Sequence, residues 1–201
     1  MGKRLYVAYG SNLNLEQMKY RCPTAKLHGI GVLNGYELQF KGAPYGAFAT
    51  IAPKEGASVP VAVWEIQPRD EQFLDRYEGY PSHYFKQDVP VHLGGKTVNA
   101  MVYVMDLKMH FGMPSPHYYQ TVRQGYEDCS LDTEVLDLAV QDSARKFYAE
   151  YGSQSRQQTL FGYEDTDEFD EDYGPDEEEE LEAEESDPFY FSDGMTFGGR
   201  G

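Results

Sequence analysis

The acidic residues are divided unevenly along this 201-residue chain, and the division limits which part can fold. Residues 1–163 carry 17 acidic and 16 basic side chains, a net charge of −1, whereas residues 164–201 carry 17 acidic side chains and one basic side chain, a net charge of −16. The segment 164–187 has few apolar residues and repels itself, so it cannot offset the entropy lost on ordering. We expect a folded domain over residues 1–155 and an acidic, disordered tail over residues 156–201.

The composition of the first 163 residues excludes several functional classes. Their near-neutral charge gives no basis for binding nucleic acid or a membrane surface. No stretch approaches the roughly 20 apolar residues of a membrane span, and no signal peptide is recognisable. Cys22 and Cys129 are more than a hundred residues apart, without metal-ligand spacing around them, which is typical of a reducing compartment. We therefore expect a cytoplasmic protein.

Cofactor motifs are absent from the sequence. Ser11 lacks the second glycine of a nucleophile elbow, and neither a Gly-x-Gly-x-x-Gly motif nor a P-loop is present. The histidines show neither H-x₃-H nor H-E-x-x-H spacing; they are His28, His83, His92, His110 and His117. We expect no metal ion and no other cofactor.

Short apolar segments punctuated by glycine or proline predict strands. Strands are expected at 4–9, 26–33, 35–41, 47–53, 59–67, 84–92 and 97–106. Helices are expected at 15–20, from Pro68 to a stop at Gly79, at 115–127 and at 132–151, the last stopped by Gly152. About seven strands with three or four helices, without strict alternation, predict an α+β fold rather than a doubly wound sheet.

The first strand runs into Gly10-Ser11-Asn12, with a helical pattern behind it. Gly10 can adopt backbone angles closed to other residues, and Ser11 and Asn12 can cap the next helix. Unpaired amides at such a junction would face a bound carboxylate. The alternative interpretation is a capped strand-to-helix turn without a ligand.

Glu78 is the candidate catalytic residue. It follows a helix that carries Asp70, Glu71 and Asp75, where neighbouring acids and the negative end of the helix dipole disfavour ionisation. Aromatic neighbours could desolvate its carboxyl group and raise the pKa towards a value useful in proton transfer. The alternative is a solvated glutamate at a helix end, since charged side chains are mostly exposed.

Three segments resemble, in order, the γ-glutamylcyclotransferase-like family. Residues 6–13 (YVAYGSNL) resemble its N-terminal signature and are the most specific. Residues 74–79 (LDRYEG), followed by Tyr84, are diagnostic mainly in combination, and residues 114–118 (PSPHY) are supportive. The resemblance spans most of the first 120 residues.

The resemblance implies a small mixed β-barrel flanked by helices, and an enzyme that needs no metal ion. The implied cyclotransferase closes a γ-glutamyl amino acid or γ-glutamylamine into 5-oxoproline and releases an amine, with Glu78 as general acid/base. The implied substrate-binding residues are Tyr6, Val7, Ala8, Tyr9, Gly10, Ser11, Asn12 and Tyr118, with Tyr84 and Tyr103 as weaker candidates. The leaving group of the substrate is left open.

A second class of function is a non-catalytic binding protein on the same fold, acting through its pocket or its acidic tail. The segment 187–191 (DPFYF) sets aromatic residues beside acids, as docking peptides often do. Deletion of residues 164–201 separates the two hypotheses: an enzyme keeps its turnover, whereas an interaction protein loses partner capture.

Overall fold

Five long strands close into a mixed β-barrel in the computed structural model, which describes residues 2–160 and their side chains through residue 151. The strands are β1 (Arg4–Ala8), β2 (Lys26–Lys41), β3 (Phe48–Ile66), β4 (Tyr84–Leu93) and β5 (Lys96–Met105). Their order around the barrel is β1-β3-β2-β4-β5. The β1–β5 pair is parallel and the other pairs are antiparallel. The predicted α+β class and small mixed barrel are confirmed, while the predicted tail lies outside the described residues, apart from its first few.

The structure has five strands where seven were predicted, because β2 and β3 each combine two of the predicted strands. The register of this antiparallel pair shifts between Asn34 and Tyr36, where Gly35 has a φ of +79°. Four residues of β3, 54–57, lie opposite Gly35 without a register partner, and the pairing of the two strands resumes on both sides of this irregularity. The hairpin of β4 and β5 turns on Gly94 and Gly95, as predicted, and both glycines have positive φ.

Within the described residues, four α-helices and one short 3-10 helix accompany the barrel. They are the 3-10 helix (Ser11–Leu13), α1 (Leu15–Arg21), α2 (Pro68–Tyr77), α3 (Pro116–Asp128) and α4 (Thr133–Leu160). Pro68 opens α2 as predicted. The predicted stop of the last helix at Gly152 is wrong: α4 continues to Leu160, since one interior glycine costs only about 1 kcal/mol relative to alanine. Among the described residues, no helix combines the length and the apolarity that crossing a membrane requires.

The hydrophobic core is one cluster of buried residues from the five strands and from the helices packed against them. The segment 61–66 of β3 is buried except for Glu65, as its apolar run predicts. Cys22 and Cys129 are both buried and unpaired, and both belong to the core. The 3-10 helix leaves the end of β1 and packs against α3, which fixes the segment that follows the first strand.

Candidate active site

A cavity of about 30 Å³ lies where β1 leads into the 3-10 helix. It is lined by Tyr6, Tyr9, Gly10, Ser11, Asn12, Ala49, Glu78, Tyr84, Tyr103 and Tyr118. All of these except Ala49 are site residues predicted from the sequence. The predicted residues Val7 and Ala8 are not among the residues that line the cavity; both are buried in the core at the end of β1.

Glu78 is brought to this cavity by the end of α2. Its amide donates to the carbonyl of Leu74 at 2.8 Å, and Gly79, with a φ of +62°, then turns the chain away. Part of the Glu78 side chain stays accessible, but its carboxyl group is surrounded by protein, and this burial raises its pKa to about 7. The positive charge of Arg21 and a hydrogen bond from Asn12 oppose the rise in pKa.

Burial is therefore the main cause of the high pKa, rather than the acids of α2. Asp70 accepts hydrogen bonds from the Gln67 amide and the Thr24 hydroxyl. Asp75 accepts from the Tyr103 hydroxyl at 2.6 Å and pairs with Lys86 at 2.6 Å. Neither acid is among the causes of the raised pKa of Glu78.

Asn12 holds the Glu78 carboxyl group. Its Nδ2 donates to Glu78 Oε1 at 2.9 Å and to the Tyr6 hydroxyl at 2.8 Å, while its Oδ1 accepts from Arg21 Nη1 at 2.7 Å. The sequence had suggested Asn12 as a cap for α1, but its side chain contacts Glu78 and Tyr6 instead. Asn14 caps that helix instead, accepting from the Gln17 amide at 3.0 Å.

Arg21 is a neighbour of the site that sequence reasoning missed. Its guanidinium lies 3.6 Å from the centre of the Tyr77 ring, and its Nη1 also donates to Ser11 Oγ at 3.3 Å. The only available signal was a basic residue directly after the predicted helix 15–20, a position that more often reflects the helix dipole.

Ala49, the other residue missed, is held on both sides by tyrosines. Its carbonyl accepts from the Tyr84 hydroxyl at 2.9 Å, and its amide donates to the Tyr118 hydroxyl at 3.2 Å. Gly10 packs against the same group: a Cβ at this position would lie 3.2 Å from the Ala49 Cβ and 3.2 Å from the Tyr118 hydroxyl. Its φ is −115°, so close approach, rather than a left-handed backbone, explains the glycine.

The tyrosine hydroxyls add polar groups to the cavity but no charge. Tyr9 donates to the Tyr103 carbonyl at 2.7 Å, and the Tyr6 and Tyr103 rings meet edge to face at 5.8 Å. Burial raises the pKa of every tyrosine that lines the cavity. These hydroxyls are therefore neutral near pH 7 and can both donate and accept hydrogen bonds.

Backbone amides add further donors at the start of the 3-10 helix. The hydrogen bonds of this helix begin with the Leu13 amide to the Gly10 carbonyl, at 2.9 Å, and the Asn14 amide to the Ser11 carbonyl, at 3.1 Å. The amides of Ser11 and Asn12 therefore have no acceptor within the helix. Both residues line the cavity, so these two amides are candidate donors to a ligand there.

Among the side chains that the structure describes, those of residues 2–151, no three acidic, histidine or cysteine side chains lie close enough together to hold a metal ion. The site is thus defined by one carboxyl group with a raised pKa, neutral hydroxyls and a helix N-terminus.

A helix-flanked barrel with a buried carboxyl group beside a Gly-Ser-Asn loop defines a recognisable class of protein. Residues 6–124 match the family described as "Gamma-glutamyl cyclotransferase, AIG2-like". The gamma-glutamylcyclotransferase of Bos taurus is 30% identical over 143 residues, which cover 65% of this chain and 73% of the bovine protein. That of Homo sapiens is 30% identical over 142 residues, which cover 66% of this chain and 75% of the human protein.

A solved structure agrees with these sequence matches. A structure described as "Gamma-glutamyl cyclotransferase" superposes with a TM-score of 0.63 and 28% identity, over 69% of this chain and 86% of that chain. The chain belongs to the AIG2-like gamma-glutamyl cyclotransferase family, as its three motifs predicted.

Proposed function

We propose that this protein is a γ-glutamyl cyclotransferase that releases 5-oxoproline and an amine or amino acid from a γ-glutamyl substrate. The family and the two 30% identical mammalian cyclotransferases support the activity. The observation that carries the proposal is the Glu78 carboxyl group, which lines the cavity, accepts a hydrogen bond from Asn12 and has a pKa of about 7. A group with this pKa can both take up and return a proton near neutral pH.

Glu78 acts first as a base and then as an acid. Its carboxylate takes a proton from the α-ammonium group of the substrate, and the neutral nitrogen attacks the γ-carbonyl carbon of the same molecule. The new C–N bond closes a five-membered ring and places a negative charge on the carbonyl oxygen. The ring nitrogen then carries one proton too many. Protonated Glu78 gives its proton to the leaving nitrogen, the original C–N bond breaks, and the carbonyl of 5-oxoproline re-forms. The regenerated Glu78 carboxylate takes the extra proton from the ring nitrogen and passes it to the released amine.

The enzyme's main task is to fold one flexible molecule onto itself. Both reacting groups belong to the substrate, so holding them in contact supplies much of the rate enhancement. The amides of Ser11 and Asn12 would bind the α-carboxylate or the developing oxyanion. The neutral hydroxyls of Tyr84, Tyr103 and Tyr118 would complete the hydrogen bonds to the glutamyl group. Because the cavity is small, the amine that is released would lie at its opening.

The test is release of 5-oxoproline from a panel of γ-glutamyl amino acids and γ-glutamylamines. Wild type should release it, and Glu78→Gln, which keeps the shape but cannot exchange a proton, should lower kcat by roughly a hundredfold or more. Glu55→Gln is the matched control, because Glu55 is exposed on β3. Release should persist in EDTA, since Glu78 and the pocket's donors supply the proton transfer and the oxyanion contacts.

A folded wild-type protein that releases no 5-oxoproline from any member of the panel would contradict the enzymatic proposal. It would instead favour a binding protein on the same fold. Equal activity of wild type and Glu78→Gln would reject the role of Glu78 while leaving the reaction in place.

A further inference from the structure

Arg21 touches the site without lining it. Its Nη1 donates to Asn12 Oδ1 at 2.7 Å and to Ser11 Oγ at 3.3 Å, and both of these residues line the cavity. We propose that Arg21 is a positioning residue that holds the Asn12 amide with its nitrogen towards Glu78. This inference deepens the proposed function and rests on it for the kinetic part of its test.

The orientation of Asn12 depends on which neighbours can only donate. A guanidinium group has no acceptor, so a group at 2.7 Å from it must be the amide oxygen. The Nδ2 group is thereby directed to Glu78 Oε1 and to the Tyr6 hydroxyl. Arg21 therefore sets the direction of a hydrogen bond to which it does not itself belong.

This constraint matters because the proposed cycle protonates Glu78. An ionised carboxylate accepts only and would keep Asn12 in place unaided, but a protonated carboxyl can donate its hydrogen to an amide oxygen. A freely turning Asn12 would then capture the proton that the leaving nitrogen needs. With Oδ1 held by Arg21, Asn12 presents a donor in both protonation states, and the Glu78 proton stays available to the substrate.

Arg21 is itself fixed by the helix that carries Glu78. Its guanidinium stacks 3.6 Å over the ring of Tyr77, the residue before Glu78. Ser11 Oγ accepts from Arg21 and also lies 3.1 Å from the Tyr77 hydroxyl. The arginine thus links α1, the 3-10 helix and the end of α2, and a shorter or singly donating side chain would lose part of this link.

The charge of Arg21 also bears on Glu78. The groups that interact electrostatically with the Glu78 carboxyl group include five tyrosines, one cysteine and one arginine, and they come from β1, α1, β4, β5, α3 and the residues that follow β1 and α1. They are Tyr6, Tyr9, Arg21, Cys22, Tyr84, Tyr103 and Tyr118. Burial raises the pKa of Cys22 to about 12 and raises the pKa values of these tyrosines, so all of them are neutral near pH 7. Arg21 is the cation within this described set, and its removal should raise the pKa of Glu78.

The test compares Arg21→Gln, Arg21→Lys and the control Arg76→Gln. Arg76 is an exposed arginine of α2, two residues before Glu78, so its substitution removes the same charge from the surface. Arg21→Gln should lower kcat roughly tenfold with a smaller change in KM, and should move the acid limb of the pH–rate profile upward by about half a pH unit or more. Arg21→Lys should restore the limb but only part of kcat, and Arg76→Gln should match wild type.

A double-mutant cycle with Asn12→Ala tests whether Arg21 acts through Asn12. In that background, Arg21→Gln should cost much less in kcat than it does in wild type, because the group that it positions is already absent. Equal costs in both backgrounds, or a wild-type kcat in Arg21→Gln, would overturn the proposal. If Arg21→Gln does not fold, as judged by its thermal unfolding curve, Arg21→Lys replaces it in the cycle, and equal costs of Arg21→Lys in the wild-type and Asn12→Ala backgrounds overturn the proposal.

Titration of Glu78 by ¹³C NMR, with its carboxyl signal assigned through Glu78→Gln, needs no turnover. The Glu78 pKa should rise in Arg21→Gln and stay unchanged in Arg76→Gln; equal pKa values in Arg21→Gln and wild type would overturn the proposed contact. A wild-type protein without 5-oxoproline release would refute the proposed function alone, because the titration still decides whether Arg21 governs the state of Glu78.

Discussion

Glu78 carries a cost in stability that follows from its burial. An unfolded chain ionises this glutamate near its ordinary pKa of 4.5, whereas the folded protein holds the pKa at about 7. Between these values the folded state binds more protons than the unfolded state, so stability falls as the pH rises. The same desolvation that suits the carboxyl group for proton transfer therefore weakens the fold above neutral pH.

Glu78→Gln should consequently stabilise the protein at pH 8. The glutamine can still accept from Asn12 but carries no buried charge, and a pKa change of this size corresponds to on the order of 3 kcal/mol as an upper bound. The gain in the free energy of unfolding, measured by urea denaturation, should shrink as the pH falls and vanish well below pH 4.5, where the carboxyl group is protonated in both states. A gain that is equal at both pH values, or absent at pH 8, would contradict the raised pKa; Glu55→Gln is the control.

The sequence predicted Glu78 and most of the cavity lining but not Arg21. Gly10, Ser11 and Asn12 are consecutive in a short motif, and a glutamate at a helix end followed by glycine can be recognised directly from the sequence. The contact of Arg21 with Asn12 depends on the angle at which α1 leaves the 3-10 helix. That angle is set by packing, and no local pattern encodes it.

At the scale of elements, α3 fixes the position of the 3-10 helix. Gly125 lies in the last turn of α3, and a Cβ there would come within 2.5 Å of the Asn14 amide nitrogen and 2.6 Å of the Leu13 Cβ. Contacts this short require the backbone to move. The absence of a side chain at Gly125 therefore allows α3 to approach the segment that supplies Ser11 and Asn12 to the cavity.

Gly125→Ala should displace this segment. Alanine favours a helix, but overpacking against backbone typically costs about 1–3 kcal/mol, so we expect a lower melting temperature together with reduced 5-oxoproline release. Gly2→Ala is the control, because a Cβ at Gly2 meets nothing within 4 Å. Unchanged stability and activity of Gly125→Ala would show that the close approach of α3 is not needed to position the site.

Element boundaries were predictable where single residues determine them. Pro68 starts α2 and Gly94-Gly95 makes the hairpin, because proline and glycine restrict or permit particular backbone angles. The same reasoning broke β2 at Gly35, and there it failed. Whether a glycine ends a strand or bulges within it depends on the neighbouring strand, here β3, which continues the pairing on both sides of the shift.

At the scale of the whole molecule, the site and the charge occupy different parts of the chain. Every residue that lines the cavity lies between residues 6 and 118, and the family match covers residues 6–124. The described helix α4 ends at Leu160, before the segment 164–201 that carries a net charge of −16. The residues proposed for catalysis therefore all lie outside the acidic segment.

Deletion of residues 164–201 should accordingly leave the reaction intact. We expect kcat/KM for 5-oxoproline release to stay within about twofold of wild type, because no group assigned to binding or proton transfer is removed. A chain with an uncharged Gly/Ser segment of equal length separates the effect of charge from that of length. A large loss of turnover in the deletion and in the Gly/Ser chain would assign a catalytic role to the acidic segment. Retained turnover with lost binding of a protein partner would mean that the chain combines an enzyme with an interaction segment.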